Sequence, residues 1–273
     1  MRLEDRVAIV TGGGGQGTLF GVGRAACHLL SREGAKLIVV DQSEAAAAVT
    51  VDEVVSQGGL AAVVVGDVSD ADTSRRATER AYELYGGLNI LVNSAAIIGP
   101  AVDADDTDAS GWDQVMAVNA RGAMLMAKHS VRHMPKGSSI INIGSISAFR
   151  SSTRMAYAAS KGAIASMTVV MAAQYGLAGI RVNCVIPGLL WAPMVARGIS
   201  DATSEALRKD SREANLLHEE GTAWDVAQAI LFFASEDSRW ITGQGLIVDG
   251  GVTVAQPAPE GGQYSSKSLA ATR

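Results

Sequence analysis

Tyr157 and Lys161 stand four residues apart in Tyr157-Ala158-Ala159-Ser160-Lys161, a stretch of helical periodicity, so their side chains share a helix face. A phenol, with an ordinary pKa of about 10, is a poor base near neutrality. A nearby ammonium stabilises the phenolate and moves the group toward the range where general acid–base catalysis is efficient. Upstream, Gly144-Ser145-Ile146-Ser147 closes a short apolar run. A hydroxyl there can hold a carbonyl or carbinol oxygen beside the tyrosine, with Ser145 the preferred candidate and Ser147 its rival. Asn119, in Val118-Asn119-Ala120, is a poor helix former among apolar neighbours. Each also has a plain reading: a solvated Tyr–Lys face, a strand-end hydroxyl closing a turn, and a helix-interior Asn bonded to backbone.

A second constellation lies near the N-terminus. The chain has 30 glycines against six prolines, and four glycines run together from Gly12 to Gly15. No three-residue period accompanies them, so collagen-like and low-complexity readings fail. The apolar run Arg6–Val10 leads into Thr11-Gly12 and on to Gly21-Val22-Gly23, where a helix begins. A strand, a glycine-rich turn and a helix N-terminus together make a phosphate cradle, because the backbone comes close and the free N–H groups favour negative charge. Asp41 ends the next apolar run, 18 residues beyond Gly23, where a carboxylate would accept hydrogen bonds from adenosine ribose hydroxyls and repel a 2′-phosphate. No Lys or Arg precedes Arg24 in the loop, and Gln42 rather than a base follows Asp41, so the reading is NAD over NADP. The plain alternatives are a flexible surface loop and an Asp capping the next helix.

These residues need a frame to hold them. At 273 residues, 48% hydrophobic and 19% charged, the chain can bury a substantial core. Its net charge of −5 supplies no basic field for nucleic acid or an anionic membrane. Cys27 and Cys184 sit in apolar stretches, read as buried, and offer no disulfide framework or metal-ligand spacing. No targeting segment or span of about 18 apolar residues is present, so a cytoplasmic protein is expected. Strands are expected at Arg6–Val10, Lys36–Asp41, Leu60–Gly66, Leu88–Asn93, Ser138–Gly144, Ile180–Ile186 and Gly245–Asp249, with helices near 22–33, 44–57, 70–85, 110–134, 155–177 and 223–235. The strands scarcely alternate, as expected for burial on both faces. The fold expected is α/β, a Rossmann-type doubly wound, seven-stranded, mostly parallel sheet with helices on both faces. One catalytic domain, 1–253, is expected to carry a substrate loop at about 189–221. A polar tail, 254–273, is expected to pack on a neighbouring subunit.

With these motifs in order, the chain resembles the classical short-chain dehydrogenases/reductases over roughly residues 3–253. The likeness rests on Thr11-Gly12 with Gly21-Val22-Gly23, Asp67-Val68, Asn93-Ser94-Ala95-Ala96, Asn119, Ser145, Tyr157 with Lys161, and Asn183 through Pro187-Gly188. The resemblance implies that Tyr157 exchanges a proton with the substrate oxygen and that Lys161 also holds the nicotinamide ribose. It implies that Asn119 bends its helix and holds a water for the proton relay. Cofactor contacts would come from Gly12, Gly21, Val22, Asp41, Gln42, Asp67 at the adenine with Val68, Asn93, Ala95, Pro187 and the Leu190 N–H. It further suggests a homotetramer assembled through the long fourth and fifth helices and the last strand region.

The chain departs from the family pattern in three places. Ser94 and Ala96 replace the usual Asn and Gly, and Ala192 stands where a threonine is usual. Eight residues separate Gly12 from Gly21 where three are usual. The pair Gly15 and Gly17 is set aside as the inner glycines, because Gly21-Val22-Gly23-Arg24-Ala25 runs without a gap into Arg32-Glu33-Gly34-Ala35. The extra residues should bulge near the phosphates, with Leu19 and Phe20 packing over the adenosine side or a partner. The expected activity is NAD(H)-dependent interconversion of a secondary alcohol and a ketone on a small, apolar or alicyclic molecule. Phe149, Trp191, Met194 and Val195 are either pocket walls or core and lid packing. Reduction of an activated double bond and non-catalytic dinucleotide sensing are the alternatives.

Overall fold

The computed structural model describes residues 1–255 apart from 16, 151, 197 and 198. The expected behaviour of the tail from residue 256 onward therefore lies outside the described residues. Seven strands form one sheet: β1 (Val7–Thr11), β2 (Lys36–Asp41), β3 (Ala61–Val65), β4 (Ile90–Asn93), β5 (Ser139–Ile143), β6 (Arg181–Pro187) and β7 (Gly245–Val248). Their order is β3-β2-β1-β4-β5-β6-β7, and every neighbouring pair is parallel. This is the Rossmann-type architecture expected, with each boundary within a residue or two.

The missing alternation has the expected cause. Ala8, Val10, Leu37 and Val39 face one core, shared with α1 (Val22–Arg32), α2 (Glu44–Ser56) and α9 (Ala223–Ala234). Their neighbours Val7, Ile9, Ile38 and Val40 face another, shared with α3 (Ala71–Tyr85), α5 (Gly122–Ser130) and α6 (Met155–Tyr175). Both faces of β1 and β2 are thus dry, while β4, β5 and β6 admit the buried Asn93, Asn142 and Asn183.

The expected helix 110–134 is interrupted. It divides into α4 (Ala109–Met116), a π-helical turn over Ala117–Arg121, α5, and a final 3-10 turn. The π turn surrounds Asn119, whose side-chain amide bonds to Ile97 and Ser160, and an inserted turn of this kind changes the helical register there. Within the expected substrate loop lie a short α7 (Pro193–Ala196) and α8 (Asp201–Glu213), the latter capped by Ser200. No helix among the described residues is long and apolar enough to cross a membrane.

Gly12 and Gly23 fix the junction between β1 and α1. Gly12 has φ +63°, and a Cβ on Gly23 would lie 2.1 Å from the Gly12 carbonyl oxygen, so backbone meets backbone with no side chain between. Gly21, by contrast, has φ −82° and nothing within 4 Å of its Cβ position. Gly23→Ala should therefore lower the melting temperature by several degrees or abolish soluble expression. Gly21→Ser, an acceptable helix-capping residue in open space, should melt with the wild type; circular dichroism melts compare the two.

Candidate active site

The carboxyl ends of the strands gather the polar residues that the apolar sheet excludes. At the end of β1, the Thr11 hydroxyl accepts hydrogen bonds from the Ser94 and Ala95 N–H groups at 3.0 and 3.1 Å, drawing the loop after β4 against Gly12. Thr11 was not among the expected site residues; its signal was a hydroxyl closing an apolar strand. At the end of β4, the Asn93 side chain turns into the sheet, where its Nδ2 donates to Asn142 Oδ1 at 2.9 Å. Asn142 donates in turn to Thr168 Oγ1 at 2.9 Å. This buried chain ties β4, β5 and α6 together, while Asn93 Oδ1 is buried without a hydrogen-bond partner among the described residues.

Ser145 follows β5 and is 8% exposed. Its Oγ accepts the Ser147 N–H at 3.2 Å, capping a 3-10 turn. It also lies beside Tyr157, because α6 brings its first turns over the end of β5. Burial pushes the Tyr157 phenol above its ordinary pKa, and the Ser145 hydroxyl opposes that shift. Ser147 instead lines a cavity of about 530 Å³ with Ala148, Met155 and Val102, whose walls do not include Tyr157.

Lys161 is 3% exposed. Its Nζ donates to the Ile143 carbonyl at 2.8 Å and lies 5.5 Å from the centre of the Tyr157 ring. Burial pulls its pKa down to about 8, with Cys184 opposing, and the same burial pushes the Cys184 thiol up to about 11. The expectation that the ammonium lowers the phenol therefore needs correction: in this arrangement desolvation dominates both groups and disfavours both charges. Cys27 is likewise buried with its thiol pushed up, and both cysteines are free.

Asn119 is clasped on both sides. Its Oδ1 accepts the Ile97 N–H at 2.8 Å, and its Nδ2 donates to the Ile97 carbonyl at 2.9 Å and to Ser160 Oγ at 2.9 Å. Ser160 Oγ donates to the Tyr157 carbonyl at 2.7 Å, so a hydroxyl inside the Tyr–Lys motif joins the π turn to the tyrosine's own backbone. Sequence reasoning passed over Ser160, although its place between Tyr157 and Lys161 on one helix was visible.

Around the glycine turn, Asp41 accepts Gly14 N–H on Oδ2 and Ser43 N–H on Oδ1, both at 3.0 Å, and stays partly open at the end of β2 beside exposed Gln42. Helix α1 begins at Gly21 with no side-chain cap and no acidic residue in its first turn. These features suit a pyrophosphate and a ribose: an uncapped helix N-terminus, open space at Gly21 where a Cβ would intrude, and a carboxylate with acceptor capacity to spare. Asp67 is exposed and accepts the Ser69 N–H at 2.8 Å; Asp70, not Asp67, caps α3. Val68 is buried against Gly122.

Pro187 ends β6, and Gly188 N–H donates to the Val248 carbonyl at 2.9 Å. Leu190 pairs with Gly221 in an isolated bridge. The Ala192 carbonyl accepts from Val195 and Ala196 at the start of α7. Phe149, Met194 and Val195 are 58%, 40% and 39% exposed, so none of them is core. Trp191 is partly buried, with the Arg208 guanidinium 5.9 Å from its ring. Arg208 and Arg212 both reach Glu220, which fastens α8 across the loop.

A family model described as enoyl-(acyl carrier protein) reductase matches residues 17–253. The chain is 34% identical to 2-(S)-hydroxypropyl-CoM dehydrogenase 3 of Xanthobacter autotrophicus, over 92% of this chain and 98% of that protein. It is 34% identical to cis-4-hydroxycyclohexanecarboxylate dehydrogenase of Sinomonas cyclohexanicum with the same two coverages. A short-chain dehydrogenase of Burkholderia cenocepacia, solved in complex with NADP, superposes with a TM-score of 0.82 at 32% identity, covering 93% of this chain and 100% of that one.

Lys161→Met tests the buried charge. Below pH 8 the folded protein carries an ammonium that the unfolded chain solvates freely. Between about 8 and the ordinary 10.5 the folded state gives up its proton first, and wild-type stability recovers. The variant should melt several degrees above wild type at pH 7, and the gap should narrow as pH rises toward 10 in melts taken across that range.

Proposed function

The chain belongs to the short-chain dehydrogenase/reductase family, and from that premise we propose that it is an NAD(H)-dependent oxidoreductase interconverting a secondary alcohol and a ketone. The observation that carries this reading is the Ser145 hydroxyl beside the Tyr157 phenol, with Lys161 buried one helical turn further on. A bound nicotinamide would accept or return the hydride at the carbon. The chain manages the oxygen and its proton. Ser145 holds the alcohol oxygen, and Tyr157 takes its proton during oxidation and returns it during reduction. Lys161 supplies positive charge beneath the pair and an amine for the ribose hydroxyls. Asn119, clasped by Ile97 and Ser160, holds the π turn in place and leaves its own carbonyl for a water in the proton relay.

Asp41 would bind the adenosine ribose. Arg24 is the first base after the loop, and its guanidinium is already taken by Glu53 and the Gly17 carbonyl, so no free base waits there for a 2′-phosphate. This supports NAD. Gly12, Gly21 and Val22 would approach the pyrophosphate. Asp67 and Val68 would meet the adenine, and the backbone at Asn93, Ala95, Pro187 and Leu190 would line the nicotinamide side. The exposed apolar side chains of Phe149, Met194 and Val195 in the loops after β5 and β6 favour an apolar or alicyclic alcohol. The exposed Met124, Val169 and Val170 on α5 and α6 supply an apolar face suited to a second copy in a tetramer.

Because the matching family model is described by an enoyl reductase activity, an enone belongs in the substrate panel. Secondary alcohols and cyclic ketones should give turnover followed by nicotinamide absorbance, and the enone should not; turnover of the enone alone would favour double-bond reduction. Tyr157→Phe should lower kcat by about 10²–10⁴-fold while dinucleotide binding, followed by calorimetry, is retained. Unaffected binding with unaffected turnover would remove Tyr157 from the mechanism. Asp41→Ala should weaken NAD binding and narrow the preference of NAD over NADP, and equal losses for both dinucleotides would speak against a ribose contact.

A further inference from the structure

The eight residues between Gly12 and Gly21 are fastened in two places. On one side, Thr50 Oγ1 donates to the Gly13 carbonyl at 2.9 Å, Gly14 N–H reaches Asp41, and Gly15 N–H donates to the Ala46 carbonyl at 3.0 Å. The approach is close enough that a Cβ on Gly15 would lie 2.2 Å from Arg24 Cδ. On the other side, Arg24 Nη1 donates to the Gly17 carbonyl at 2.9 Å. The Arg24 guanidinium also lies 4.2 Å from the centre of the Phe20 ring.

Phe20 packs within its own chain. Its ring centre is 5.0 Å from Trp224 on α9 and 5.3 Å from His28 on α1. Arg24 is 2% exposed and is held by both oxygens of Glu53, through Nε at 3.1 Å and through Nη2; His28 Nε2 lies 3.0 Å from Glu53 as well. The Arg24 guanidinium holds the Glu53 carboxyl below its ordinary range, so the pair stays ionised at neutral pH. One buried cation thus joins the loop backbone, the Phe20 ring and α2.

Where the loop returns to α1, the N–H groups of Gly21, Val22 and Gly23 find no acceptor among the described residues. We propose that Phe20, Arg24 and Glu53 act as a latch, positioning residues that hold the lengthened loop off the α1 N-terminus and keep this amide cradle open for a dinucleotide pyrophosphate. The inference rests on the dinucleotide reading above. A loop of this length and glycine content, once released, would visit many conformations, and ordering it at binding would cost entropy that the docked ring has already absorbed in folding. The latch touches neither the reacting atoms nor Phe149, Met194 and Val195, so it should alter affinity and not chemistry.

Wild type, Phe20→Ala and Glu53→Gln are compared by calorimetric titration with NAD and NADP, by initial-rate kinetics, and by thermal melts of the unliganded proteins. For the dinucleotide that wild type prefers, each variant should bind about tenfold more weakly. Its kcat at saturating dinucleotide and its KM for the alcohol should remain at wild-type values. Phe20→Leu, which keeps an apolar seat and loses the ring, should fall between wild type and Phe20→Ala and serves if the alanine variant does not fold. Folded variants that bind within twofold of wild type overturn the latch alone. A loss of kcat equal to the loss of affinity overturns it too, since the loop would then act on the chemistry. Wild type that binds neither dinucleotide overturns the cofactor reading and the latch with it.

Discussion

Seven parallel strands end on one side of a single sheet, and the order of strand placement reverses between β1 and β4. That constraint governs everything at the site. Parallel strands need crossovers, the crossovers cover both faces with helices, and the covered faces are largely apolar, with the few buried polar side chains hydrogen-bonded to one another or to backbone. Polar residues are therefore displaced to the strand ends, where Thr11, Asp41, Asn93, Ser145 and the Pro187-Gly188 turn lie along one rim. The gap at the reversal between β1 and β4 is filled by the Gly12–Gly23 contact, which allows α1 to begin there with its N–H groups uncovered.

Against this apolar frame, the Lys161 ammonium is poorly solvated. One carbonyl accepts from it, and burial pulls its pKa to about 8. A methionine would fill the same space without that penalty, so a charge kept there points to chemistry rather than stability. The same desolvation keeps the Tyr157 phenol protonated. Of the two, the lysine is the group held near the edge of changing protonation state.

The fold was largely legible because its signals are local. Runs of Val and Ile mark strands, glycines and capping residues mark ends, and both survive without knowledge of partners. The π turn at Asn119 was harder to read: a poor helix former hinted at a disturbance, but the Ile97 and Ser160 groups that clasp it come from 22 and 41 residues away. The same limit hid Thr11 and Ser160, whose hydroxyls gain meaning only from the distant Ser94 and Ala95 N–H groups and from the Asn119 amide. From its loop neighbourhood alone, Phe20 suits a cover over the adenosine side or a partner. Its seat is made by His28, Arg24 and Trp224, the last about two hundred residues further along the chain.

By itself the sequence determined the element order, the glycine turn, the Tyr157–Lys161 face and the carboxylate at the end of β2, since periodicity and spacing along one chain are enough to specify them. Tertiary structure decided which charges are tolerated and where the extra loop goes. It placed Lys161 in a dry interior, so that burial and not the neighbouring ammonium sets the Tyr157 phenol. It also drew Arg24 onto Glu53 and Phe20 onto Trp224. Both outcomes depend on desolvation and on contacts between residues far apart in the chain, quantities that no local pattern of residues contains.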